Sequence, residues 1–213
     1  MEQIIAKLRE TRIVPVVKID NAKDAVPLAA ALINGGINCA EITFRTDAAE
    51  ESIKQISAAF PDMFIAAGTV LTPLQADKAM AAGASLIVSP GLNPIVVKHC
   101  LEKDYPIIPG VCTPSEIEQA MSLGLTHVKF FPAEDAGGLK MIKAMSAPYT
   151  NIRFMPTGGI NPGNVADYLN CKAVFACGGS WMVPGDKIAA GAFSEIEELT
   201  KQAAALIKGM KSI

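Results

Sequence analysis

Histidine is scarce in this chain: only His99 and His127 occur among 213 residues. Neither has a histidine or cysteine two to four positions further on, so a metal centre would have to be assembled from carboxylates. The five cysteines, Cys39, Cys100, Cys112, Cys171 and Cys177, are odd in number and never spaced as C-x-x-C. That argues against a disulfide framework and against a zinc site, and leaves reduced thiols as the expectation. Runs of like charge are missing as well. Lys plus Arg total 19 and Asp plus Glu 21, a formal net charge of -2, so nothing marks nucleic acid or an anionic membrane as a partner. No apolar stretch approaches the ~20 residues a membrane span needs, and Glu2, Lys7, Arg9 and Glu10 stand where a signal peptide would be apolar. These absences lead to the expectation of a soluble, cytoplasmic protein that acts on a small metabolite without metal or cofactor.

What the chain has in quantity is apolar residues, 50% of the total, enough to bury one full core. The length points to one domain spanning residues 1–213. Short β-branched runs begin near Ile13, Cys39, Phe64, Leu86, Pro106, His127, Arg153 and Val174, at intervals of 20 to 26 residues, with Ala-rich amphipathic segments between them. Each interval fits one strand, one helix and two short loops. Eight near-equal units predict an α/β fold closed as a single (β/α)₈ barrel, in preference to an open doubly wound sheet. Thr72-Pro73, Asn93-Pro94, Thr113-Pro114 and Asn161-Pro162 each place a capping side chain before a proline suited to the first helical position. Thr72 with Gln75, and Thr113 with Glu116, also fit capping boxes. All four pairs follow an expected strand and so mark the face where barrel enzymes carry their active sites. Gln3 to Leu8 reads as a short extra helix closing the other end, and Phe193 to Met210 as the last barrel helix. His127 opens a strand at that other end, where a capping or surface role fits it.

Side chains alternate along a strand, so Glu41, Thr43 and Arg45 share one face while Ile42 and Phe44 share the other. The apolar pair must face the helices, which sends a carboxylate, a hydroxyl and a guanidinium into the barrel. An unpaired charge there is costly. Either Glu41 pairs with Arg45 or with a lysine to fill the interior, or the group is a functional site; buried pairs rarely add stability over apolar packing, which favours the second reading. Glu41, four residues before Arg45, is expected deeper in the barrel than the guanidinium. In V-K-F-F-P-A-E, Val128 to Glu134, Lys129 and Phe131 share the inward face. Apolar walls and a neighbouring cation favour the neutral form of a lysine amine, and a neutral amine can attack a ketone to give an electron-withdrawing iminium. Lys18, followed by Ile19 and Asp20 at the end of the first strand, reads instead as a snorkelling surface lysine.

The last two strands end in T-G-G-I-N-P, Thr157 to Pro162, and C-G-G-S-W, Cys177 to Trp181. Glycines let backbone N–H groups approach an oxyanion, and the loops after strands seven and eight commonly hold phosphate in barrel folds. Thr157 and Ser180 add hydroxyl donors. Either Gly-Gly alone is an ordinary turn signal; the two together, in the expected pair of loops, point to phosphate. Cys112, just above strand five, reads as a packed small residue near the mouth.

Together, V-K-F-F-P-A-E, A-E-I-T-F-R-T (Ala40 to Thr46), A-A-G-T-V-L (Ala66 to Leu71), S-P-G-L (Ser89 to Leu92), P-T-G-G-I and C-G-G-S-W resemble the bacterial 2-keto-3-deoxy-6-phosphogluconate (KDPG) and 4-hydroxy-2-oxoglutarate (KHG) aldolases. The resemblance runs from about Ile13 to the C-terminal helix. It implies that Lys129 forms a Schiff base, Glu41 is the acid/base, and Arg45 and Thr69 contact the pyruvate half. It further implies that Thr157, Gly158, Gly159, Gly178, Gly179 and Ser180 hold the phosphate end, with Pro90 and Phe131 beside the substrate. The implied reaction is cleavage of KDPG to pyruvate and glyceraldehyde 3-phosphate, with KHG cleavage to pyruvate and glyoxylate as a second activity, in a homotrimer. A galactonate-derived phosphosugar differs only in stereochemistry. A phosphosugar isomerase or epimerase, and a non-catalytic phosphosugar-binding barrel, are the competing readings on this scaffold.

Overall fold

The computed structural model describes residues 1–208. Parallel strands run through it in chain order: β1 (Ile13–Val17), β2 (Cys39–Thr43), β3 (Phe64–Gly68), β4 (Leu86–Val88), β5 (Ile107–Ile108), β6 (Gly110–Val111), β7 (His127–Phe130), β8 (Arg153–Pro156) and β9 (Cys177–Gly179). Between and around them lie α1 (Glu2–Thr11), α2 (Ala25–Asn34), α3 (Ala49–Ala59), α4 (Pro73–Ala81), α5 (Pro94–Glu102), α6 (Pro114–Ser122), α7 (Gly138–Ser146), α8 (Val165–Leu169), α9 (Gly185–Ala189) and α10 (Phe193–Ile207). The expected last helix is α10; its proposed end at Met210 lies outside the described residues.

The α/β alternation is that of a (β/α)₈ barrel, but the ladder does not run unbroken around the ring. One sheet has the order β5-β4-β3-β2-β1-β9 and the other β6-β7-β8. At one join the expected fifth strand is split in two by Pro109, which has no N–H to donate, although its carbonyl accepts from Lys129 N at 2.9 Å. At the other join only isolated bridges connect β8 to the last strand, Phe154 to Val174 and Thr157 to Gly178. The last strand therefore starts later than the apolar run suggests. Val174 is tied to Phe154, and regular pairing with β1 begins at Cys177 opposite Ile13.

Thr72 and Asn93 cap α4 and α5, and Thr113 forms a full capping box with Glu116 at α6. The Gln75 side chain accepts from Leu71 N, not from the Thr72 backbone, so that box is only half formed. Asn161 does not cap a helix: its side chain accepts from Gly163 N within a turn, and α8 starts only at Val165. The loop after β8 is thus longer than expected and folds on itself. One apolar core, from Ile5 on α1 to Ala203 on α10, includes Ile42, Val128, Phe130 and Phe154. The inward face of the strands is left to a few polar groups.

Candidate active site

Those polar groups meet at the C-terminal ends of the strands. Glu41 on β2 and Lys129 on β7 project into the barrel from opposite walls, and Lys129 Nζ donates to Glu41 Oε1 at 3.1 Å. Both are almost completely enclosed, at 0% and 4% exposure. The second carboxylate oxygen of Glu41 is buried with no hydrogen-bond partner among the described residues. Of the two partners weighed for Glu41, a lysine and not Arg45 is the one observed. Arg45 lies higher, at the exposed mouth, and its Nε donates to Thr43 Oγ1 at 3.0 Å, while Thr43 donates to the Val17 carbonyl at 2.8 Å. The alternation of β2 assigns these side chains to one face correctly. Their separation in depth is set by the length of each side chain and by Lys129, which lies 88 residues away in sequence.

A cavity of about 280 Å³ opens above this pair. It is lined by every residue singled out from the sequence as a site candidate: Lys129, Glu41, Arg45, Thr69, Pro90, Phe131, Thr157, Gly158, Gly159, Gly178, Gly179 and Ser180. Lys129 Nζ lies 5.3 Å from the centroid of the Phe131 ring, which forms an apolar wall beside the amine. Thr69 has φ 56, a left-handed conformation that an L side chain seldom adopts and that turns the chain away from the end of β3. Thr157 Oγ1 is buried without a partner among the described residues, and a Cβ on Gly178 would lie 3.1 Å from Thr157 Cγ2 and closer still to that oxygen. Glycine at 178 is thus what allows the threonine hydroxyl and the last strand to share one wall.

Three further residues line it: Thr43, read from the sequence as inward-facing but given no role of its own, and Val16 and Ile160, which were not picked out. Val16 and Ile160 carry no polar signal. The support beneath the T-G-G turn was also missed. Ala133 N donates to the Thr157 carbonyl at 2.8 Å and Glu134 N to the Gly158 carbonyl at 3.1 Å. The Glu134 side chain accepts a hydrogen bond from the Tyr168 hydroxyl, and burial together with that carboxylate pushes the phenol well above its ordinary range. A Cβ at Gly159 would lie 2.6 Å from Glu134 Cβ, so the side chain presses directly on the turn.

Cys112 is half-buried and is not among the lining residues; its N–H donates to Glu116 Oε2 at 2.8 Å as part of the α6 cap. Lys18 is an exposed lysine 2.7 Å from Asp20. Among the described residues no three His, Cys, Asp or Glu side chains gather to hold a metal ion.

A buried lysine and glutamate under a cavity ringed by two Gly-Gly turns can be compared with known proteins. The family model for KDPG and KHG aldolase matches residues 4–199. This chain belongs to that family. A 2-dehydro-3-deoxy-phosphogluconate aldolase of Treponema pallidum is 52% identical over 202 residues, covering 95% of this chain and 96% of the relative. The KDPG aldolase of Legionella pneumophila, solved with pyruvate captured at low pH as a covalent carbinolamine, superimposes with a TM-score of 0.90 at 40% identity, covering 93% of this chain and 96% of that one. The KDPG aldolase of Zymomonas mobilis, solved with 3-phosphoglycerate, gives a TM-score of 0.89 at 39% identity and covers 97% of both chains. As a KDPG and KHG aldolase family member, the protein is a carbon–carbon lyase of the aldolase type.

Proposed function

We propose that this chain cleaves KDPG to pyruvate and glyceraldehyde 3-phosphate through a Schiff base on Lys129, and KHG to pyruvate and glyoxylate by the same route. The observation that carries this reading is the enclosed hydrogen bond between Lys129 Nζ and Glu41 Oε1 at the floor of the cavity. Proton transfer along that bond leaves a neutral amine, which adds to the C2 carbonyl of the keto acid to give a carbinolamine. Loss of water, with Glu41 supplying the proton, gives the iminium. The C3–C4 bond then breaks with its electron pair drawn into the iminium, while Glu41 takes the proton of the C4 hydroxyl and the aldehyde departs. Protonation of the enamine carbon by Glu41, followed by hydrolysis, releases pyruvate and restores the lysine.

Arg45 and Thr69, at the mouth on the β2 and β3 side, are positioned for the carboxylate and carbonyl end of the substrate. The turns at Gly158, Gly159, Gly178 and Gly179, with Thr157 and Ser180, suit the phosphate end, where backbone N–H groups and hydroxyls can converge on an anion. Pro90 and Phe131 complete the wall. We place the enzyme in the cytoplasm, and no described helix is long and apolar enough to cross a membrane. A homotrimer is part of the same reading. It is supported by Leu71, Leu74 and Ile95, which lie 51%, 65% and 69% exposed where α4 and α5 begin, and sedimentation analysis tests it.

Incubation with pyruvate and borohydride should add one reduced pyruvate to the chain, mapped by mass spectrometry to Lys129, and Lys129→Ala should lose both the adduct and the lyase activity. An adduct on Lys18, or none, would overturn the assignment. An isomerase or a binding barrel would form no adduct.

A further inference from the structure

A second cavity, of about 630 Å³, opens at the opposite end of the barrel from Lys129. Arg9 on α1, Arg12 directly after it, Arg153 at the start of β8 and Lys172 in the turn before β9 lie around it, over a floor that includes Phe175. None of these four cations forms an ion pair among the described residues. What sets them apart from other unpaired surface lysines is that they line one hollow. Among the described residues the one carboxylate on the cavity wall, Glu10, is engaged by Lys7 at 3.5 Å. Four positive charges therefore converge on one hollow with little to neutralise them.

Two of the cations are anchored. Arg12 has φ 58; its N–H donates to the Leu8 carbonyl at 2.8 Å, and its carbonyl accepts from Cys177 N at 2.7 Å. Arg153 Nη1 donates to the carbonyls of Thr150 and Ile152 at 2.8 and 2.9 Å, which fixes the guanidinium and leaves its other N–H groups available. His127 pairs in register with Arg153 and stands edge-on to Phe175, with ring centroids 5.1 Å apart. Its Nε2 is buried and has no partner among the described residues.

We propose that this end of the barrel is a second anion site, which takes a compact, multiply charged phosphorylated molecule and is separate from the site at Lys129. Guanidinium forks recognise phosphate oxygens two at a time, and an anion carrying at least two charges is needed to balance the cluster. The competing explanation is that Arg9 and Arg12 only complement the carbonyl end of α1.

The chain has two histidines, and they make the test direct. His127 adjoins the cluster, whereas His99 is paired with Asp77 at 2.8 Å on the outer surface. Inorganic pyrophosphate titrated into the full-length protein should move the His127 proton NMR signals and leave those of His99 in place. It should also raise the His127 titration midpoint, which burial and, to a smaller extent, Arg9 and Arg153 hold down to about 4, because a bound anion offsets the two arginines. Arg9→Glu combined with Lys172→Glu, both exposed positions, should weaken the apparent Kd at least tenfold and leave lyase activity unchanged; Lys172→Gln should weaken it less. No movement of His127 at millimolar pyrophosphate would leave the cations as helix-end complements and overturn the proposal. Movement that survives in the double variant, or in Lys172→Gln if the double variant fails to fold, would place the anion elsewhere and overturn it as well.

Discussion

Gly68 on β3 lies beneath the side chain of Glu41 on β2. A Cβ on Gly68 would stand 2.6 Å from Glu41 Cγ and 2.7 Å from Cδ, closer still to the oxygen that accepts from Lys129. The carboxylate is enclosed and hydrogen-bonded, so it cannot swing aside freely. Gly68→Ala should cost about 1–3 kcal/mol of stability by overpacking. Lyase activity should fall further than stability alone explains, since the methyl displaces the proton carrier. Denaturant melts read beside activity at a temperature where the variant is folded check this; full activity would mean the carboxylate can move without consequence.

Glu41→Gln keeps the volume and removes the basic oxygen. Cleavage, and exchange of pyruvate methyl protons with deuterated water, should fall together by ~10²–10⁴-fold, the range of a general acid–base group. Borohydride should still trap some pyruvate on Lys129. A wild-type exchange rate in the variant would make Glu41 structural and pass its role to a hydroxyl or a water.

Ser180 stands exposed at the cavity mouth beside Gly179. Ser180→Glu brings a negative charge to the proposed phosphate end, so kcat/KM should drop at least tenfold more for KDPG than for KHG, which has no phosphate. Equal losses on the two substrates would locate the phosphate elsewhere.

Exhaustive EDTA treatment should leave activity unchanged, because the iminium supplies the electron sink that a metal would otherwise provide. Activity lost on chelation and restored by zinc or magnesium would overturn the mechanism.

His127 should make the fold sensitive to acid. Burial, aided by Arg9 and Arg153, holds its imidazole at about 4 against an ordinary 6.5. Between those values the unfolded chain binds the proton and the folded chain does not, so protons favour unfolding. The stability contribution is fully present above pH 6.5 and is lost as the pH falls toward 4. His127→Gln should flatten that part of the melting-temperature profile, by a few degrees at most since the ring is only half-buried. An identical slope in wild type and variant would assign the acid sensitivity to other groups.

The strand starts at Ile13, Cys39, Phe64, Leu86, His127 and Arg153 were legible because β-branched runs begin abruptly after polar or glycine-containing loops. The twelve site candidates could be gathered because inward alternation and strand-end glycines are local signals. Which of the two candidate partners holds Glu41 was not legible. Lys129, not Arg45, holds Glu41 because the barrel brings β7 across from β2, and nothing within either strand states that distance. Gly68 reads as an ordinary glycine until Glu41 is seen lying on it. Asn161-Pro162 has the form of a helix start, but Gly163 and Asn164 draw its side chain into a turn and delay α8.

The two breaks in the ladder divide the ring into panels of unequal width. Glu41, Arg45, Gly178 and Gly179 belong to the six-strand panel or its edge, while Lys129 and Thr157 belong to the three-strand panel or its edge. Amine and carboxylate therefore face each other across the seams, where the panels are joined by Pro109 on one side and isolated bridges on the other. The enclosed hydrogen bond between Lys129 and Glu41 thus ties the two panels together through the barrel interior, where regular strand pairing does not.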